Sequence, residues 1–393
     1  MIGVDEAKIL VIEHSNLLAA QNVSLMDAAG LVLAEDVVSS CDIPAYPQSS
    51  MDGYAFAFDS LGAPLQLKGE QAAGEGHKFS LAPGEAARVF TGAAIPPGAD
   101  TVIMQEKAVV QNNLLHADPQ VVKRGDHFRP PGSEIKKGEL ALHKFSLLSP
   151  PAIGFLGAIG IPQVNVIPSP SISIIVTGNE LLKPGEKMEY GKVFEASSFA
   201  LSAALKFFGF NNVNISFVRD DLELMSSLLN EVIKHSDLVL MTGGVSVGDH
   251  DHTVDAASAV GITKIFHKVK QRPGKPLFFG TMAEKLFFGL PGNPSSVLTC
   301  FYEYVLPCLS KMTGRKLTLE TIQAVLESDH RKAVGLTHFL KGVFHNEMVT
   351  ISGAQESYKL NSFASANCFV VIPEDVDFVE AGSVVNIHLL PHV

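Results

Sequence analysis

Cysteine is scarce in this chain, and its few cysteines are not spaced to hold a metal. There are four, Cys41, Cys300, Cys308 and Cys368, and none belongs to a C-x-x-C pair. A structural zinc site is therefore not expected; buried free thiols are, as in a reducing cytosol. Long apolar runs are lacking as well. The most apolar stretch, residues 147–167, is broken by Pro150, Pro151, Pro162, Gln163 and Asn165, so no membrane span is expected. The opening residues MIGVDEAKILVIEH carry acids where a signal peptide would carry a basic start, so a cytoplasmic location is expected. Basic clusters are missing: Lys and Arg number 30 against 41 Asp and Glu, a net charge of −11. That balance speaks against a nucleic-acid partner held through its phosphates, while leaving room for a local basic pocket. Neither G-x-x-x-x-G-K-[ST] nor G-x-G-x-x-G after a strand occurs, so P-loop and dinucleotide-binding chemistry have no support. No internal repeat or low-complexity tract is present.

What the 393 residues do contain is a set of apolar runs that stop at glycine. The run 237–240 leads into Met241-Thr242-Gly243-Gly244, and Ser246, Gly248, Asp249 and Asp251 follow in a polar loop. A short, leucine-rich and β-branched run reads as a buried strand. Glycine accepts the sharp turn and lets the backbone approach a ligand. A plain turn with helix-capping aspartates fits the same residues. Run 172–176 ends in Thr177-Gly178-Asn179-Glu180, and Lys285–Leu290 ends in Pro291-Gly292-Asn293-Pro294-Ser295-Ser296. Between the last two runs lies Arg272-Pro273-Gly274-Lys275-Pro276, a rigid loop with two cations. A parallel sheet would bring these loops to one edge, where open α/β sheets bind ligands. Glycine amides and cations suit a phosphate; carboxylates beside them suit a Mg²⁺ bridging to it. His250 and His252 flank Asp251, but three successive side chains cannot all face one metal, and a polar loop is the better reading.

Taken in order, a chain of this length predicts about two to four domains. Residues 4–18 have helical periodicity, and Ser24 before LMDAAGLVLAEDV, with Asp27 three residues on, resembles a capping box and predicts a second helix. Residues 42–57, DIPAYPQSSMDGYAFA, read as an ordered irregular loop in which Asp52 could be a turn residue bonding its own backbone. Residues 58–142 are β-rich, and 143–168 return to a helical pattern. Alternating strands and helices follow, the helices over 199–208, 222–234 and 295–309, and imply a parallel sheet. The last residues have short strand-like runs. The expected architecture is thus multidomain α/β. It has a discontinuous helical domain (1–37 with 139–169), a β-rich insert (38–138), a doubly wound parallel-sheet domain (170–317) and a small C-terminal β-barrel (318–393).

The stretches TGNEL, GGVSVGDHD, RPGKP and GLPGNPSS, in this order and spacing, resemble the MoeA family of molybdopterin molybdenumtransferases. The α/β region also resembles the MogA/MoaB-type molybdopterin-binding domain and the E domain of gephyrin. SSMDGYA around Asp52 resembles the family's most recognisable motif. Phe90 to Pro96 resembles its TGA-P-P turn and Val102 to Glu106 its V-x-M-Q-E strand. Arg129 to Ile135 resembles its R-x-x-G-E-D-I loop, with Glu134 in place of aspartate. Asn361 to Asn367 resembles its S-x-x-x-A-N turn.

The resemblance implies molybdenum insertion from molybdate into adenylylated molybdopterin, with release of AMP and with Mg²⁺ as cofactor. It implies phosphate contacts from Gly243, Gly244, Lys268, Arg272 and Lys275, and Mg²⁺ near Glu180, Asp220 and Asp251. Lys275, Ser296 and Ser362 are its candidates for molybdate. Thr91, Arg129, Ser246, Pro291, Gly292 and Asn293 are further binding candidates. Asp52 and Glu134 would complete the cleft from a second subunit of a homodimer. Transient contacts with a MogA-like adenylyltransferase and with molybdoenzyme apoproteins are implied as well. Three departures stand out. Leu336 and Lys341 replace the two arginines of G-R-x-x-F-x-R, Asn179 replaces the aspartate of TGDEL, and Glu195-Ala196-Ser197 replaces D-[ST]-N. The competing readings are a MogA-like adenylyltransferase, a non-catalytic scaffold, and a CinA-like nucleotide-amide hydrolase. SSMDGYA and the extra domains speak against the first, the retained acids against the second, and the lack of a characteristic second domain against the third.

Overall fold

The computed structural model describes residues 1–76, 78–245 and 252–391. Its contacts divide the chain into two compact units. One holds Met1–Asn22, Gly30–Val32 and Asn165–Val393; the other holds Val23–Ala29 and Leu33–Val164.

In the first unit, the three apolar runs become three adjacent parallel strands. Ile172–Thr177, Leu238–Thr242 and Lys285–Leu290 pair in register, Val176 beside Thr242 and Thr242 beside Leu290. Val213–Val218 adds a parallel edge on the far side of Ile172–Thr177. The sheet is not wholly parallel. Phe278–Met282 and Lys285–Leu290 form an antiparallel hairpin, and Thr263–His267 extends it. The turn explains this: only Ala283 and Glu284 separate Met282 from Lys285, and so short a link can only reverse the chain.

Helices cover both faces. Ser197–Phe207, Pro294–Cys300 and Leu306–Thr313 pack Leu201, Leu205, Val297, Leu306 and Leu309 on Ile174, Leu240 and Phe288. Leu222–Val232 and His252–Val260 pack Met225, Leu229 and Ala256 on Ile175, Val239 and Phe287. A strand buried on both faces has no use for polar alternation, which is why the runs are continuously apolar. Each fully buried Leu or Phe contributes about 1.5–3 kcal/mol. The N-terminal helix, Val4–His14, joins the first of these cores through Ala7 and Val11.

The C-terminal strands close on themselves. Thr337–His345, Met348–Ile351, Glu320–Leu326, Val384–Leu389 and Cys368–Ile372 follow one another, and the last pairs back to the first. Gln271–Arg272 leaves the α/β sheet and pairs in parallel with Thr337 and His338. That register brings the cationic RPGKP loop to the barrel.

The second unit centres on a six-stranded sheet of Thr101–Met104, Gly53–Phe56, Glu85–Val89, Leu65–Gln71, Leu114–His116 and Val109–Gln111. Phe56, Leu65, Ile103 and Leu115 fill its core. Pro150–Ala158 is its α-helix. The helix expected after Ser24 is absent. Ser24 does accept a bond from the Asp27 amide, but the turn it starts ends at Ala28. Gly30 then takes a left-handed φ of 78°, and the short strands Val32–Leu33 and Val37–Val38 follow.

All four cysteines are free, and Cys300, Cys308 and Cys368 are buried. Among the described residues no helix is long and apolar enough to cross a membrane.

Candidate functional site

The glycine turns meet at the C-terminal ends of the three central strands, because parallel pairing aligns those ends. Gly243 has φ 89°, and a Cβ there would lie 2.3 Å from the Thr177 carbonyl oxygen. The turn after one strand is thus pressed against the end of the next, and only glycine fits. Thr253 donates its hydroxyl to the Gly243 carbonyl at 2.9 Å and fixes the turn from the helix side.

Several cavities open at this edge, and two of them meet at the PGN turn. The first, about 480 Å³, is lined by Thr177, Glu180, Thr242, Gly243, Gly292 and Asn293, with Phe194 and Tyr358 among the apolar walls. The Thr177 hydroxyl is buried there and has no partner among the described residues. The second, about 460 Å³, is lined by Arg272, Gly274, Lys275, Pro291, Ser296 and Leu336, and by Gln355 and Ser357. Gly292 and Asn293 border both. A cavity with two cations therefore adjoins one with two carboxylates, Glu180 and Glu195, and a free hydroxyl. The Asn293 amide donates to the Ser357 hydroxyl at 2.9 Å, and the Ser295 amide donates to the Ser357 carbonyl at 3.3 Å. The segment carrying Ser357 and Tyr358 is thereby tied to the PGNPSS turn. Thr177 stands in the TGNEL motif, but nothing in the sequence pattern marked Gln355, Ser357 or Tyr358, since isolated polar residues carry no spacing signal.

Several expected site residues lie elsewhere. Lys268 and Ser362 line neither cavity, and neither does Asp220. The Asp220 amide donates to the Asn179 side chain at 3.3 Å, so Asn179 braces the strand exit. Glu195 does line the first cavity, with its carboxylate tied to the start of the following helix: it accepts from the Ser198 amide at 2.7 Å and from the Ser198 hydroxyl at 2.6 Å. Ser246 and Asp251 lie outside the described residues. Among the described residues no three His, Cys, Asp or Glu side chains group to hold a metal. The donor set still fits a Mg²⁺ that arrives with a phosphate, since such an ion is commonly held by one or two carboxylates plus substrate oxygens. Glu180 and the Thr177 hydroxyl are hard oxygen donors at the cavity, which Glu195 lines as well.

Lys341, in place of an arginine, is buried and already saturated. Its ammonium donates to the Ser362 hydroxyl at 2.8 Å and to the carbonyls of Lys359 and Glu356 at 3.2 and 3.4 Å. Burial holds its pKa below the ordinary lysine value. It pins the segment that presents Ser357. Leu336, by contrast, faces the cationic cavity, so that wall is apolar where the resemblance places an arginine. Nearby His338 is pushed down to about 4, by burial first and then by the charges of Lys332 and Arg272. It is neutral at pH 7.

In the second unit Asp52 and Thr91 come together. The Asp52 carboxylate accepts from the Thr91 amide and from its hydroxyl, both at 2.8 Å. These two bonds hold its pKa below the usual carboxylate value, so it is an exposed, aimed anion. Arg129 ends a two-residue strand paired with Gln48–Ser49, and the Glu134 amide donates to the Ile43 carbonyl at 2.9 Å. Both side chains are exposed. The loop 42–52 thus runs between the TGA turn and the loop carrying Arg129 and Glu134.

Comparison with known proteins covers the chain nearly end to end. Residues 2–160 match the family of the MoeA N-terminal region (domain I and II). Residues 173–311 match the probable molybdopterin binding domain, and 323–390 the MoeA C-terminal region (domain IV). A molybdopterin molybdenumtransferase of Haemophilus influenzae is 30% identical over 100% of both chains. Its counterpart in Nostoc is 32% identical over 94% of this chain and 88% of its own. The crystal structure of a molybdopterin biosynthesis MoeA protein from Pyrococcus horikosii superposes with a TM-score of 0.84, at 29% identity and 99% coverage of both chains.

Proposed function

Since the chain belongs to the MoeA family, we propose that it is a molybdopterin molybdenumtransferase of molybdenum cofactor biosynthesis. Its substrates are adenylylated molybdopterin and molybdate. The dithiolene takes up molybdenum, the pyrophosphate bond is hydrolysed, and AMP leaves. The observation that carries this reading is the pair of adjoining cavities that share Gly292 and Asn293. The cavity with Arg272 and Lys275 suits a dianion such as molybdate or a phosphate, because ionised donors make the strong, short bonds. The cavity with Glu180 and Thr177 suits the neutral, hydrogen-bonding part of the substrate and its Mg²⁺. That ion would offset phosphate charge, with Glu180 and Asp251 as its protein ligands. Purified protein mixed with adenylylated molybdopterin, molybdate and Mg²⁺ should release AMP and yield active cofactor. Consumption of ATP with molybdopterin instead would favour an adenylyltransferase.

Lys275→Ala and Lys341→Ala should separate binding from architecture. Loss of a charged donor costs about 1.5–3 kcal/mol, roughly ten- to a hundredfold in affinity. Lys275→Ala should weaken molybdate binding by that factor and change stability by no more than about 0.5 kcal/mol. Lys341→Ala removes three hydrogen bonds made by a buried ammonium and leaves a cavity where it packed, and should cost about 2–4 kcal/mol of stability. Calorimetric titration and urea denaturation read the two effects. A Lys341 variant of full stability that no longer binds molybdate would redraw the anion site around the barrel.

The protein is read as a homodimer in which Asp52 and Glu134 of one subunit complete the cleft of the other. The split of the site motifs between the two units supports this, and two-fold pairing is the commonest assembly. Light scattering that finds a fully active monomer at micromolar concentration would overturn it.

A further inference from the structure

We propose that Gln271 and Tyr304 are positioning residues that aim the cationic loop Arg272–Lys275 into its cavity. The inference rests on the reading of that cavity as the anion site. The loop closes through its backbone: the Val269 amide donates to the Lys275 carbonyl at 2.9 Å, and the Gln271 amide donates to the Val269 carbonyl at 2.8 Å. Its tip is held by a side chain instead. The Gln271 amide nitrogen donates to the Pro273 carbonyl at 3.0 Å. That bond fixes which way the amide faces, because a carbonyl can only accept. The amide oxygen of Gln271 is therefore turned to Tyr304, whose hydroxyl donates to it. Gln271 and Tyr304 are both fully buried, so water does not replace either partner.

The seat is closely fitted. A Cβ at Gly274 would lie 2.6 Å from the Cys300 sulfur and 2.7 Å from the Gln271 amide nitrogen. The tip of the loop rests directly on these two groups, and Gly274 takes a φ of 87° there. Tyr304 reaches the loop from a π-helical turn, Phe301–Val305. An inserted residue of this kind is often found at functional sites. Here it directs two neighbours to separate tasks: Tyr304 to the loop, and Glu303 to Lys8 and His388. The cations of the loop thus depend on a buried polar relay that is absent from the cavity wall itself.

The relay predicts a loss of aim without a loss of the groups that bind. Tyr304→Phe deprives the Gln271 oxygen of its donor. Gln271→Glu keeps an acceptor for Tyr304 and removes the donor to Pro273. Both should raise KM for molybdate about tenfold, with kcat within about twofold, the signature of lost substrate binding. Direct titration with molybdate alone should show the same loss. A double variant should lose no more than either single one, because the two residues act as one unit. A thermal melt of each variant guards against misfolding, and if Tyr304→Phe does not fold, Gln271→Glu carries the test. Lys275→Ala is the companion measurement. If it weakens molybdate binding while the relay variants leave binding intact, the positioning role is overturned. If Lys275→Ala itself leaves binding intact, the anion-site reading beneath it fails.

Discussion

Gly243→Ala is expected to abolish substrate binding and to cost about 3–5 kcal/mol of stability, at the diagnostic end of single substitutions. Two penalties add. A left-handed backbone with a Cβ costs about 1–2 kcal/mol. The second is steric: the new atom would sit 2.3 Å from the Thr177 carbonyl oxygen and 2.6 Å from its hydroxyl. The obstacle is the end of the neighbouring strand, and that strand is held in register at Val176 and Thr242. Relief therefore requires the two strand ends to part, which opens the turns that build the site. Gly261→Ala separates the terms. Gly261 has φ 90° and open space around its Cβ position, so it should show the backbone penalty alone and keep binding. Urea denaturation and titration with adenylylated molybdopterin compare the pair. Equal losses in the two variants would mean that the close approach at Thr177 relaxes without cost.

The α/β core was legible because its signal is local and repeated. Three apolar runs with glycine at their ends can hardly be anything but buried strands, and their covered faces explain the missing alternation. The antiparallel hairpin was less legible. Its turn is Ala283-Glu284, with Ala283 at φ 54°, and neither residue is a common hairpin signal. The helix expected over LMDAAGLVLAEDV failed for an opposite reason. Its start signal was real, but Gly30 and the β-branched Val32, Val37 and Val38 turned the chain to strands after one turn.

The candidate site divides in the same way. Gly243, Gly292, Asn293, Arg272, Lys275 and Ser296 stand in short motifs, and the fold brings them to two adjoining cavities. The groups that support them do not stand in motifs. Gln271 and Tyr304 are 33 residues apart, and Lys341 and Ser362 are 21 apart. Lys8 and Glu303 are 295 apart. Such pairs leave no periodicity or spacing in the sequence, because only the tertiary fold defines them. Lys341 shows the consequence. By residue type it reads as an anion-holding cation, and its three acceptors make it a clamp.

Glu303→Ala is expected to cost about 2–4 kcal/mol at pH 7 and to loosen the N-terminal helix. Glu303 is 2% exposed, and it accepts from Lys8 at 2.5 Å and pairs with His388 at 2.8 Å. It joins the helix Val4–His14, the π-helical turn and the last barrel strand. Breaking a buried pair by removing one partner typically costs about 3–5 kcal/mol, because the other charge is stranded. The figure here is somewhat lower, since the Lys8 side chain is 31% exposed and can turn to water. Burial pushes the Glu303 pKa up, but the His388 bond and the Lys8 charge outweigh it and hold it below its ordinary 4.5. A carboxylate with a lowered folded pKa stabilises above its unfolded pKa, and loses that contribution as pH falls through the folded value. The gap between wild type and Glu303→Gln should therefore be widest near neutrality and shrink below about pH 4.5. In that acid range the native side chain becomes as neutral as the amide. Urea denaturation across pH reads the gap, and hydrogen exchange over residues 4–14 reads the helix. A gap that widens on acidification would show that Glu303 is buried without net benefit from its partners.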